Sequence, residues 1–161
     1  MTPTALAYAT AILYCASAAF YFRKLFAGEG WAGLAGTLLL AVGLLTHYLA
    51  LLERAYAIHA VPYQDLYGSM SLLAWFLALT YFGLEFFHRE RAMGAFVVPL
   101  VLLLFILELL VIPQAAPRAP AHGGIFALHV TSNILAYSAF TLSFVYSLIY
   151  LVQDRLLRAR R

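Results

Sequence analysis

Five apolar runs, each bounded by charge or by proline, decide what this chain can fold into. A bilayer core about 30 Å thick takes about 20 apolar residues per helix. Segments from about Pro3 to Phe22, Trp31 to Leu52, Leu66 to Phe87, Ala95 to Ile112 and Ile125 to Val152 read as such spans. Arg23-Lys24 closes the first, Glu53-Arg54 the second and His88-Arg89-Glu90-Arg91 the third, while Pro113 stops the fourth and shortest. The fifth is long enough to tilt or to project a turn beyond the bilayer. Of 161 residues, 65% are hydrophobic and 11% charged, against about 45–50% and about 25% in soluble domains. A chain this small has too little interior to hide the surplus, so the surplus faces lipid. Backbone groups in lipid must be satisfied within their own segment, which leaves helices. The alternation over about ten residues that marks a membrane strand is absent. The expectation is an all-α integral membrane bundle of about five transmembrane helices. Residues 1–161 form a single domain, without repeat, linker or low-complexity tract.

Alternating the spans puts Arg23, Lys24, Arg89, Arg91, Arg155, Arg158, Arg160 and Arg161 on one side, and only Arg54 and Arg118 on the other. The positive-inside rule makes the first side cytoplasmic, so the N-terminus is expected outside and the C-terminus in the cytoplasm. The net charge of +3 is then topology signal and not a nucleic-acid patch. Trp31, Tyr56, Tyr63 and Tyr67 fit interfacial belts. The first span begins almost at Met1 with no basic stretch before it, and is expected to be retained. The lone Cys15 excludes a disulfide framework. No phosphate loop, nucleophile elbow or paired-carboxylate motif is present, so an independent enzyme is not expected.

Polar side chains inside spans are costly and are the first places to look for function. His47 and His129 stand near the external ends of the second and fifth spans, at similar depth in this topology. His59 and His122 fall in external loops and His88 on the cytoplasmic side. His129, Asn133, Tyr137 and Thr141 follow at intervals of four, which puts them on one helix face. That stripe is expected to turn toward the bundle interior or a cavity; Ser132, Asn133 and Thr141 could also serve only to bond neighbouring helices. Two intramembrane imidazoles can act as axial ligands of haem iron. A mononuclear metal site lacks the accompanying Cys pair, carboxylates or His-x-x-His spacing. A proton relay is a further option, with Glu108 and Glu53 on the same side. Glu108 reads otherwise as snorkelling at the interface, and Glu85 as reaching water at its span end.

Four passages carry a resemblance to a known family. They are LLTHYLALLER at the end of the second span, PYQDLYGSMSLLAWFLALTYFGLE through the third, MGAFVVPL opening the fourth, and ALHVTSNILAYSAFTLSFVYSLIYLVQDR in the fifth. Together they resemble the cytochrome c assembly family, which includes CcsA and CcmC proteins and the HemX/YpjD-like branch. Gly68 and Asp65, where CcsA members carry Glu and Asn, favour that last branch. The resemblance implies a haem-handling protein of the bacterial-type inner membrane, binding or delivering haem on the outer side. His129 falls on the family's external histidine, regarded as a haem ligand, and His47 on the second-helix histidine of the HemX/YpjD-like members. Asn133 and Tyr137 would line the same pocket. Typical members continue through roughly three more spans, so a partner membrane protein or complex is expected to complete the site. The alternatives are an accessory subunit of a larger membrane complex, or a membrane regulator of haem biosynthesis.

Overall fold

A computed structural model describes residues 5–59, 61–63, 65–110 and 124–159. Five helices follow one another: α1 Ala5–Ala27, α2 Gly30–Ile58, α3 Leu66–His88, α4 Gly94–Leu110 and α5 Gly124–Ala159. Four are long and apolar enough to cross a membrane, and α4, with 17 residues, is a shorter apolar helix. By helix length and composition this is a multi-pass membrane protein. Residues 111 and 112, read as the end of the fourth span, and His122 lie outside the described residues.

Small residues set how closely the first helices approach. The inner face of α1 carries Ala7, Thr10, Tyr14, Ser17, Ala18 and Tyr21, and α2 answers with Gly36, Leu40, Gly43, Leu44 and His47. Without a side chain at Gly36, the Ser17 hydroxyl reaches the Gly36 carbonyl at 2.8 Å, the kind of small-residue contact that joins helices in lipid. Thr10 bonds Thr46 across the same seam at 2.9 Å. α1 also lies against α4, α3 packs on α4, α5 and α2, and α5 rests chiefly on α3. The core gathers Tyr14, Tyr21, Leu40, Leu77, Tyr81, Val97, Val98, Val101 and Phe105. Pro99 sits inside α4, where its missing N–H leaves one helix bond unmade.

The helix ends follow local chemistry. Arg23 pairs with Glu29 at 2.8 Å and lies over the Trp31 ring. Its hydrogen bond holds the Glu29 carboxyl below the ordinary carboxylate value. His59 and Arg89 close α2 and α3 in the left-handed conformation, with φ of 53° and 59°. Asp65 caps α3 by accepting from the Gly68 N–H at 3.0 Å, as short polar side chains do at helix starts.

α2 runs on past the expected span end at Glu53-Arg54 to Ile58, with Arg54 buried inside it, where an ion pair to Asp65 neutralises its charge. Two readings from the sequence are corrected here. Glu85 does not reach water; it is 3% exposed. Glu108 does not snorkel; it is 2% exposed.

Two glycines stand closest of all to fully buried aromatic rings. A Cβ on Gly43 would stand 2.7 Å from the Tyr14 ring, and one on Gly94 2.5 Å from the Tyr21 ring. Gly83 in α3 faces open space. Gly43→Ala and Gly94→Ala should each cost about 1–3 kcal/mol by overpacking. Gly83→Ala should be neutral or stabilise by up to about 1 kcal/mol. Thermal unfolding of the purified variants in one detergent measures the contrast.

Candidate functional site

His47 is the most enclosed polar residue of α2, with 0% exposure. Its Nδ1 lies 3.1 Å from the Tyr14 hydroxyl and its Nε2 3.0 Å from the Ser71 hydroxyl. The Phe105 ring packs edge-on at 4.7 Å between centroids. A buried hydroxyl proton needs an acceptor, and for Tyr14 that acceptor is Nδ1. The assignment places the ring proton on Nε2, which then donates to Ser71. Both nitrogens are thus engaged, one as acceptor and one as donor.

Beyond Ser71 lies a group of charges at the Arg54–Asp65 end of the bundle. The Ser71 and Tyr67 hydroxyls both interact with the Glu108 carboxyl. Arg54 hydrogen-bonds Asp65 and stacks over the Tyr67 ring at 4.3 Å. The loop before α3 closes on this pair. Gly68 has the Pro62 carbonyl oxygen 2.2 Å from where a Cβ would stand, and Ser69 donates to the Tyr63 carbonyl at 3.0 Å. Glu108 Oε2 and Arg54 Nε are buried and make no hydrogen bond.

A second polar centre occupies the opposite end. Glu85 accepts hydrogen bonds from Tyr21 at 2.6 Å, Tyr81 at 2.7 Å and Thr37, and Arg91 stands 3.6 Å away. Of these partners only Arg91 was singled out from the sequence, as a cytoplasmic charge. Thr10, Tyr14, Ser17 and Tyr21 nevertheless fall at helical spacing along α1, a polar stripe inside an apolar span that was available to read.

The fifth helix presents the other candidates on a different surface. His129, Asn133 and Tyr137 are exposed, Tyr137 at 62%, and α5 buries only Ile134, Ser138 and Leu142. The stripe therefore does not turn into the bundle, because those three residues occupy the inward face. Instead it borders a groove of about 320 Å³ between α3 and α5, lined by Ser69, Leu73, Val130, Asn133, Ile134 and Tyr137. Asn133 Nδ2 lies 3.0 Å from His129 Nε2, and Thr141 bonds back to the Tyr137 carbonyl. His47 and His129 do not share a pocket: one is sealed among α1, α3 and α4, the other stands on the outer face of α5. Among the described residues, no group of three His, Cys, Asp or Glu is placed to hold a metal ion.

Comparison with known proteins connects this architecture to a family. The profile described as "Cytochrome C assembly protein" matches residues 63–161. The chain is 34% identical over 104 residues to a cytochrome c biogenesis protein CcsA of Heterosigma akashiwo, covering 62% of this chain and 32% of the relative. It is 30% identical over 149 residues to a CcsA of a Synechococcus species, covering 89% and 41%. It is 27% identical over 159 residues to protein HemX of Brevibacillus brevis, covering 94% and 57%. The chain thus spans from about a third to somewhat over half of these curated relatives. No solved structure matches it.

The matched stretch opens on the loop that Arg54 and Asp65 tie down. Asp65→Ala removes the α3 cap and leaves the Arg54 charge buried without its carboxylate. Breaking such a pair from one side costs about 3–5 kcal/mol. The unfolding midpoint should fall well below that of Glu53→Ala, whose parent side chain is exposed.

Proposed function

The chain belongs to the cytochrome c assembly protein family, and on that premise we propose that it binds haem against the groove between α3 and α5, with His129 as the iron ligand. The observation that supports this reading is that Asn133 and Tyr137 line that groove while the exposed His129, one helical turn along, bonds Asn133. An imidazole, an amide and a phenol on an otherwise apolar helix face are wasteful against lipid alone. Val130, Ile134 and Leu73 supply apolar walls and Tyr137 an aromatic edge, a composition suited to a flat, largely apolar ligand. Haem would supply an iron centre that takes imidazole as a ligand. Turning the Asn133 amide so that Oδ1 accepts from His129 Nε2–H frees Nδ1 as a lone pair and fixes the ring. His47 could serve as a second ligand only by giving up Tyr14 or Ser71, so its part in this reading is to position α2 and α3.

The reading includes an orientation, with the Arg23, Lys24, Arg89 and Arg91 end in the cytoplasm, by the positive-inside rule. It places His129 near the outer face of a bacterial-type inner membrane, where the chain would hold or deliver haem for cytochrome c assembly together with a partner membrane protein. A second reading, an accessory subunit of a larger membrane complex, is favoured by how little of α5 is buried against the bundle, with only Ile134, Ser138 and Leu142 enclosed.

Protein purified from haem-supplied cells should show a Soret absorption band, lost in His129→Ala and weakened in Asn133→Ala. A wild type that carries no haem even when supplied with it sinks the haem reading. If His129→Ala then also leaves co-purification with other chains intact, the accessory reading stands.

A further inference from the structure

The two buried glutamates are treated very differently by their surroundings. Glu85 has three hydroxyl donors and its own cation, Arg91. Glu108 has hydroxyls on one side, a bare Oε2 on the other, and no cation to itself. The groups that act on Glu108 are Tyr14 on α1, Arg54 on α2, and Tyr67 and Ser71 on α3, with His47 behind Ser71 and Asp65 behind Arg54. Arg54 is already committed to Asp65. The cluster therefore holds two carboxyl groups against one guanidinium. An unmatched charge is expensive in a setting this enclosed, and one added proton removes it.

The hydrogen bonds also have a direction. Tyr14 donates to His47 Nδ1, His47 Nε2–H donates to Ser71, and the Ser71 proton is left to point at Glu108. The row runs from Tyr14 through His47 to Ser71 and ends at the Glu108 carboxyl, which makes that carboxyl the terminus whose state the row must follow.

We infer that Glu108 is a proton-loading site at the Arg54–Asp65 end of the bundle, and that His47 senses its state through Ser71. On loading, a proton from water bonds to Oε2 and no other covalent bond changes. The cluster passes from one net negative charge to none. The carboxyl becomes a poorer acceptor for Ser71, and the Nε2–H bond of His47 weakens in turn. This site needs no haem and stands whether or not the groove along α5 binds it.

The test uses the full chain in lipid nanodiscs, followed by infrared spectroscopy and by nitrogen NMR of labelled histidine as pH is lowered. A protonated-carboxyl C=O band should grow in, and should be missing from Glu108→Gln. The His47 Nε2 resonance should shift with the same midpoint. Ser71→Ala should keep the band and lose the His47 shift, and Ser71→Thr, which retains a hydroxyl, should restore it. Thermal unfolding identifies any variant that fails to fold, in which case the wild type and Ser71→Thr carry the comparison. The inference is overturned if no Glu108-dependent band appears at any pH at which the protein stays folded. It is equally overturned if the His47 shift persists at full size in Glu108→Gln or Ser71→Ala.

Discussion

Tyr21, Tyr81 and Thr37 meet at the Glu85 carboxylate, so one side chain of α3 is bonded from α1, α2 and α3 itself. Arg91, just before α4, approaches the same group. In water such bonds exchange with solvent and contribute little. Inside an apolar bundle the alternative to each bond is an orphaned polar group, which costs several times what an ordinary hydrogen bond contributes. The angular position of α1, α2 and α3 about their own axes is therefore fixed at this end by one carboxylate. At the other end Arg54, Asp65 and the His47 row do the same for α2, α3 and α4.

These polar centres depend on close approach, and close approach depends on residues with nothing to spare. Tyr14 can reach His47 because Gly43 offers no side chain to its ring, and Tyr21 can reach Glu85 because Gly94 and Gly36 stand back from it. Ring and glycine are one device: the phenol supplies the hydrogen bond and the missing Cβ supplies the space. Gly68 applies the same logic to backbone, letting the Pro62 carbonyl fold over the start of α3 so that Asp65 can serve both the cap and Arg54. Any side chain at 68 would collide with the loop that carries Asp65.

The helices were legible in the sequence because length and hydropathy alone decide whether a segment suits a bilayer. Five apolar segments were expected and five helices occur, four of them long and apolar enough to cross a membrane. What hydropathy does not encode is which neighbour a charge meets. Arg54 looked like a stop signal and Glu85 and Glu108 like interfacial carboxylates, because a charge near a span end normally escapes to water. Each is instead held inside by a partner distant in sequence: Asp65 for Arg54, Tyr21 for Glu85, Ser71 and Tyr67 for Glu108. His47 was found by its type and position, but Tyr14 and Ser71, which define its chemistry, required the packing of three helices. Of the two directions expected for the stripe on α5, the bundle interior is taken by Ile134, Ser138 and Leu142, and Asn133 and Tyr137 line a groove instead, since spacing fixes which residues share a side and not which side is covered.

That face is where the balance of forces in the bundle is unlike the rest. α1 to α4 turn their polar groups inward and satisfy them among themselves, whereas α5 holds on through Ile134, Ser138 and Leu142 and turns His129, Asn133 and Tyr137 away. Asn133 and His129 bond each other, which lowers the cost of facing lipid without removing it, because a neutral amide and imidazole keep further donors and acceptors unspent. A ligand that takes the imidazole lone pair, or a neighbouring helix that meets the amide, would complete the stripe in the way the inner helices complete Glu85. Either occupant would also thicken the seam between α3 and α5, so binding at this face and the anchoring of α5 are coupled by the same few residues. The element most weakly fixed by its own chain is thereby the one best placed to respond to what binds it.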